Sequence, residues 1–251
     1  MRRRLSPLQR GARFAVNVRA VPTLVLYIDA ALSTITQADA TERVSAWSDL
    51  SGNGNNIVQA TPTAQPILLP DTGANYLYSS GTNNNNASTP NLAASTLTGD
   101  MSAILTVAPN SVAPTQAEVF LGQLVAANGY NWQFYLGTTG APIFVYSTDG
   151  SALVTKTSSA TLASVGLAAF QKMYLGVYHD VDNGASGNDV KFYWSVDKIS
   201  WTQLGTTQTT VGAVTRFAST GVIHFFSSGS VANVLMGKGY RAELYSGNYF
   251  D

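Results

Sequence analysis

The chain has 251 residues, 45% of them hydrophobic, no cysteine, and fourteen basic against fourteen acidic side chains. That is enough apolar sequence to bury one large core, and it excludes a disulfide framework and any thiolate metal site. The charge is unevenly placed: Arg2, Arg3, Arg4, Arg10, Arg13 and Arg19 all precede the first acid, Asp29, so the remainder holds eight basic residues against the fourteen acids.

Residues 1–20 therefore read as a basic N-terminal arm, and residues 21–251 as one domain behind it. The arm's six arginines suit docking on an acidic protein surface, with nucleic acid the lesser expectation. The apolar run Val21–Ile28 sits late and is closed by Asp29, unlike a signal peptide. No segment approaches the roughly 20 apolar residues that span a bilayer, so no membrane insertion is expected.

Beyond the arm the sequence alternates with period two. Met101, Ala103, Leu105 and Val107 share one face of a strand, and so do Tyr130, Trp132, Phe134 and Leu136. Met173, Leu175 and Val177 oppose Tyr174, Gly176 and Tyr178; Ala242 and Leu244 point inward while Arg241, Glu243 and Tyr245 point outward. Such repetition between Gly, Asn and Ser turns predicts antiparallel sheets with one wet face each, packed against one another. Residues 161–171 offer at most a short helix, weakened by Gly166, and 82–89 is a polar loop.

In 190–205, Val190, Phe192, Trp194 and Val196 alternate before Asp197-Lys198, and Ile199 and Trp201 follow. A two-residue turn at Asp197-Lys198 would face Val196 with Ile199 and Trp194 with Trp201. A longer, bulged turn would relieve Lys198 of a position that favours glycine and would shift the register. Trp194 is expected in the core, while Trp201 stays open between core and ligand platform.

Residues 44–69, with Trp47, Asp49, Ser51–Asn55, Gln59–Thr61 and Gln65–Pro66, resemble the opening of concanavalin A-like, laminin-G-type jelly-roll domains. Later blocks, including 178–205 and 239–247, are similar to such domains in minor tail proteins of phages; the resemblance covers roughly residues 24–247. It implies an all-β jelly-roll sandwich of two antiparallel sheets. It also implies a non-enzymatic virion protein, with the arm joined to other virion proteins, a homo-oligomeric state, and a sandwich that touches neighbours or host-surface glycan. The alternatives are a carbohydrate-binding module of an extracellular bacterial protein and a glycoside hydrolase on the same fold. Where family members carry Asp-Gly, this chain has Asp197-Lys198.

Jelly-roll glucanases set their carboxylates on one strand as E-x-D-x-x-E, and Glu42, Glu118 and Glu243 do not form that pattern. His179 adjoins Asp180, but no nucleophile motif accompanies it, and His224 reads as a strand residue with a satisfied ring. "SVDKISW" is one residue short of the Asp-box hairpin. No cofactor motif appears. Asp180, Asp182, Asn183 and Asp189 are a candidate Ca²⁺ loop, set against a plain hairpin loop whose Asp and Asn bond their own backbone. For glycan, the expected outer patch is Tyr135 with Asn131 and Gln133, and Trp201 besides.

Overall fold

The computed structural model describes residues 23–37, 42–72, 74–81, 87–90, 96–125, 129–226 and 233–250. The basic arm, with all six of its arginines, lies outside the described residues.

Two nine-stranded sheets make up the domain. Sheet A holds β1 (Thr23–Asp29), β5 (Ile67–Asp71), β6 (Ala74–Ser80), β8 (Met101–Pro109), β13 (Met173–Asp180), β14 (Gly187–Ser195), β15 (Thr202–Gln203), β16 (Gln208–Val211) and β18 (Met236–Ser246). Its order is β15-β14-β13-β8-β18-β6-β5, with β1 also on β18 and β16 also on β14. Sheet B holds β2 (Ile35–Gln37), β3 (Val44–Trp47), β4 (Ile57–Val58), β7 (Ala87–Ser88), β9 (Glu118–Val125), β10 (Gly129–Leu136), β11 (Pro142–Tyr146), β12 (Val154–Thr157) and β17 (His224–Phe225). Its order is β12-β11-β10-β9-β17-β7-β4-β3-β2. The strand ladders are antiparallel, and the fold is a jelly-roll β-sandwich.

The alternation in the sequence becomes the core. Met101, Leu105, Leu175, Val177, Phe192 and Leu244 of sheet A are buried against Phe120, Trp132, Phe134, Phe144 and Phe225 of sheet B. Ring contacts cross the gap, Phe134 to Phe192 at 6.3 Å and Phe144 to His179 at 5.5 Å between centroids. Each fully buried Leu or Phe of this kind contributes about 1.5–3 kcal/mol.

The stretch 161–171 forms only a 3-10 turn, Ala163–Val165, closed by Gly166 in the left-handed region at φ 81°. Within 82–89, Ala87–Ser88 are strand β7 rather than loop, and 82–86 lie outside the described residues. Among the described residues no helix is long and apolar enough to cross a membrane.

The Trp-Asp-SGNGN signature is a clamp on a bulge. The β1–β18 register slips between Leu24 and Leu26, which leaves the Val25 carbonyl outside the ladder. Ser51 Oγ, Asn53 Nδ2 and Asn55 Nδ2 all donate to it, at 3.1, 3.1 and 2.7 Å. Asp49 gathers the amides of Tyr27, Ser51 and Asn55, while Trp47 Nε1 donates to the Asp29 carbonyl. Gly52 and Gly54, at φ 86° and 74°, turn the chain so that these side chains converge.

The hairpin at 190–205 takes the longer turn. Trp194 pairs with Thr202 and Tyr193 with Gln203, so the two tryptophans do not face each other. Val190 and Phe192 are core; Trp194 is half-buried, and Val196 and Ile199 stand 59% and 85% exposed at the tip. Asp197 replaces the tight turn by accepting the amides of Ile199 and Ser200 and the Ser195 hydroxyl. Lys198 does adopt φ 63°, and its Nζ pairs with Glu243 on β18.

Candidate functional site

The expected patch around Tyr135 does not assemble. The β9–β10 register slips between Tyr130 and Trp132, and Asn131 is fully buried, donating to Gln123 Oε1 at 2.8 Å and to the Leu97 carbonyl. Gln133 is buried as well, its aliphatic stem packed over Gly122, where a β-carbon would lie 2.9 Å from Gln133 Cγ. Tyr135 alone is half-exposed, between Val119 and Ile143 on sheet B. Trp201 stands just before β15 of sheet A. It is half-buried, with its ring edge-on to Phe250 at 5.1 Å and to Tyr249 at 6.3 Å.

Asp180 and Asp189 are paired residues of β13 and β14, and 181–186 make the hairpin loop between those strands. Asp180, Asp182 and Asn183 accept the amides of Asp182, Gly184 and Ala185, Asn183 also accepts that of Gly187, and Asp189 bonds Asn183 Nδ2 and the Thr209 hydroxyl. Among the described residues no three metal-ligating side chains converge.

His179 and Asp180 point to opposite faces of β13. His179 lies in the interior, where Arg216 Nη1 donates to its Nδ1 at 2.7 Å; Arg216 also donates to the Leu97 and Gly99 carbonyls. Burial first, and then the guanidinium, hold the imidazole well below its usual range. Arg216, itself buried, is lowered to about 9 by desolvation. This is a structural network rather than a base poised beside a nucleophile. His224 is on a strand as expected, but its buried Nδ1 has no partner.

A site that sequence reasoning missed lies on the outer face of sheet A. β18 is flanked by β8 on one side; on the other, β6 pairs with Met236–Gly239 and β1 with Arg241–Ser246. Between these two ladders the β18–β8 register slips, because Gly239 opposes Val107 and Arg241 opposes Thr106. Tyr240 is the extra residue. Gly239 faces the core, where a β-carbon would collide with the Phe226 ring. The bulge resets the alternation, so that Tyr240 and Arg241 both project outward.

Register then lines up a row across four strands: Tyr174 opposite Thr106, Thr106 opposite Arg241, and Arg241 opposite Asp29. With Leu32, Asn75, Lys172 and Tyr240 they wall a cavity of about 290 Å³. Arg241 Nε donates to Asp29 Oδ2 at 2.7 Å, and its Nη2 reaches the Tyr27 hydroxyl. Behind Tyr240, its hydroxyl donates to Asp71 Oδ2 at 2.6 Å and Lys238 Nζ pairs with the same oxygen at 3.0 Å. These bonds hold the Asp71 carboxyl down to about 2. Burial, and then the Asp71 bond, push the Tyr240 hydroxyl above its usual range, so it stays a neutral donor. Lys172 Nζ stands 4.4 Å over the Tyr240 ring, and Lys238 the same distance over Tyr76. The Thr106 hydroxyl is buried without a hydrogen-bond partner.

Further along the same face, the end of the described chain folds back. Phe250 stacks on Tyr193 at 4.1 Å in a slot left by Gly176, whose missing β-carbon would strike that ring. Tyr249 packs on Tyr245, and Tyr245 donates to Glu243 at 2.5 Å. On the other sheet, Glu118 is buried beside a cavity of about 40 Å³, and burial raises its carboxyl to about 7 against a smaller pull from the Met236 amide.

The signal that a sequence offers for the sheet A site is the run of outward residues Tyr174, Arg241 and Glu243, which do point outward. The bulge that adds Tyr240 to them carries no composition signature.

No protein-family model matches the sequence, and no curated protein matches it. Among solved structures, an arabinofuranosidase complexed with arabinofuranosyl-α-1,2-xylobiose superposes with a TM-score of 0.53 at 12% identity, over 89% of this chain and 59% of that one. A structure of botulinum neurotoxin type C, whose cell entry is described as dependent upon interaction with two ganglioside molecules, gives 0.51 at 8% identity, over 90% and 48%. This chain spans about half the length of the first solved chains it matches. What these structures share with it is the fold.

Proposed function

We propose that this domain binds carbohydrate in the cavity on the outer face of sheet A and catalyses no reaction there, as a binding module displayed outside the cell. The observation that carries the reading is the wall itself: Tyr174 and Tyr240 beside Asp29, Asn75, Thr106 and Arg241. A sugar presents an apolar face ringed by hydroxyls, which suits aromatic side chains flanked by fixed donors and acceptors. At about 290 Å³ the cavity is near the lower end of the range for small-molecule sites, roughly 300–1,000 Å³, and fits one or two sugar units rather than a chain. The two solved structures above concern sugar-bearing ligands, which accords with the reading at the level of fold.

Binding without turnover is supported by the carboxylates. Asp29, the acid in the cavity wall, is tied to Arg241; Asp71 behind it is held ionised. Asp71 is thus no proton donor at neutral pH, and Glu118, with its raised value, sits on the other sheet. A place on a virion, with the arm docked on other virion proteins, draws on the sequence resemblance alone.

The test is a glycan array followed by calorimetry on the best hit, using the wild-type chain, Tyr240→Ala and Tyr135→Ala. Loss of at least about tenfold in affinity in Tyr240→Ala and full binding by Tyr135→Ala are expected. Tyr240 is buried and bonded to Asp71, so its variant should melt lower, and binding is compared at a temperature where circular dichroism shows it folded. Binding that survives Tyr240→Ala and falls in Tyr135→Ala would move the site to sheet B.

A further inference from the structure

Resting on that reading, we infer that the sugar held in the cavity carries a carboxylate and that Lys172 supplies the countercharge. The cavity wall contains two cations, Lys172 and Arg241, against one carboxylate, Asp29. Arg241 is committed: it meets Asp29 at 2.6 Å and Glu243 at 3.5 Å, and bonds the Tyr27 hydroxyl besides. Lys238, just behind Tyr240, is committed to Asp71. Lys172 differs. Among the described residues no carboxylate lies within ion-pairing distance of it, and its ammonium rests over the Tyr240 ring, the aromatic wall of the cavity.

A neutral sugar would leave that charge to solvent and the Tyr240 ring and gain nothing from it. An acidic one would place its carboxylate beside Lys172 while its ring rests against tyrosine. A second observation points the same way. Thr106 is 2% exposed and its hydroxyl has no partner, although it lines the cavity from the central strand β8. A buried donor of this kind calls for an acceptor from the ligand, and a carboxylate oxygen is a strong one. Arg241 and Asp29 spend their charge on each other, and the Asn75 amide in the same wall is placed to bond hydroxyls. The site thus has one apolar wall, one internally paired dipole and one unspent cation.

The test uses the full chain, with cellobiouronic acid and neutral cellobiose as probes, titrated by calorimetry at neutral pH. The acid should bind about tenfold tighter than the neutral disaccharide, as one charge-assisted contact allows. Added salt should narrow that gap. Lys172→Met should abolish the preference and Lys172→Arg should restore it; Lys172 is exposed, so both variants should melt with the wild type. Equal affinity for the two probes in the wild type, or a preference that persists in Lys172→Met, overturns the inference. If both probes bind equally and Tyr240→Ala abolishes both, the inference falls and the carbohydrate site stands. If neither probe binds and arrays are blank, both fall together.

Discussion

Replacing Glu118 with glutamine should stabilise the domain at about pH 8 and leave it nearly unchanged at about pH 4.5. Glu118 is buried on β9, neither carboxylate oxygen has a partner with hydrogen-bond geometry, and its carboxyl is raised from 4.5 to about 7. In the unfolded chain the group ionises near its ordinary value. Between roughly pH 4.5 and pH 7 the folded state therefore holds the extra proton, and stability falls as pH rises through that window. A difference of about 2.5 pKa units corresponds to about 3 kcal/mol. The cavity of about 40 Å³ beside it is large enough for a water, which reduces the expected loss to about 2 kcal/mol. Glutamine is isosteric and does not ionise, so it removes the pH-dependent part; its extra N–H donor adds an offset that is the same at every pH. Urea denaturation of both proteins at about pH 4.5, 6 and 8 measures this directly. The gap should open across the series. A gap independent of pH, or a variant less stable than the wild type at pH 8, would refute a buried, titrating Glu118.

Two further substitutions probe the elements that shape the sheet A face. Gly239→Ala would set a β-carbon against the Phe226 ring and should lower stability by about 1–3 kcal/mol, read from the urea midpoint; an unchanged midpoint would mean that Gly239 does not face the core and that the bulge does not reset the alternation. Gly176→Ala would strike the Phe250 ring and should lift residues 247–250 off the sheet. Carboxypeptidase trimming should then accelerate and Trp201 emission shift, with the urea midpoint almost unmoved; wild-type trimming and emission would show that Phe250 does not fill the slot.

Most of the fold was legible because its cause is local. Period-two alternation in 101–107, 132–136, 173–177 and 242–244 marks the face turned to the other sheet, and Trp47, Asp49 and Asn55 form a hydrogen-bonded clamp around a bulge. The site was illegible where a single residue shifts register. Asn131 turns inward at one such slip, and Tyr240 turns outward at another. Asp197 reshapes a turn that Lys198 alone would make unfavourable. Distance matters as well: Asp29 and Arg241, which meet in the cavity, stand 212 positions apart, and nothing near either residue announces the other.

The cavity owes one of its two aromatic side chains, Tyr240, to a single inserted residue in β18, with the ladder continuing on both sides of it. Deleting Tyr240 would return the strand to strict alternation, at the loss of its bonds to Asp71 and to the Ala30 amide and of the offset between the β6 and β1 ladders. In evolutionary terms, pocket and scaffold are tied together at that one residue: a lineage that lost it would give up the tyrosine of the wall and several contacts of sheet A in the same event.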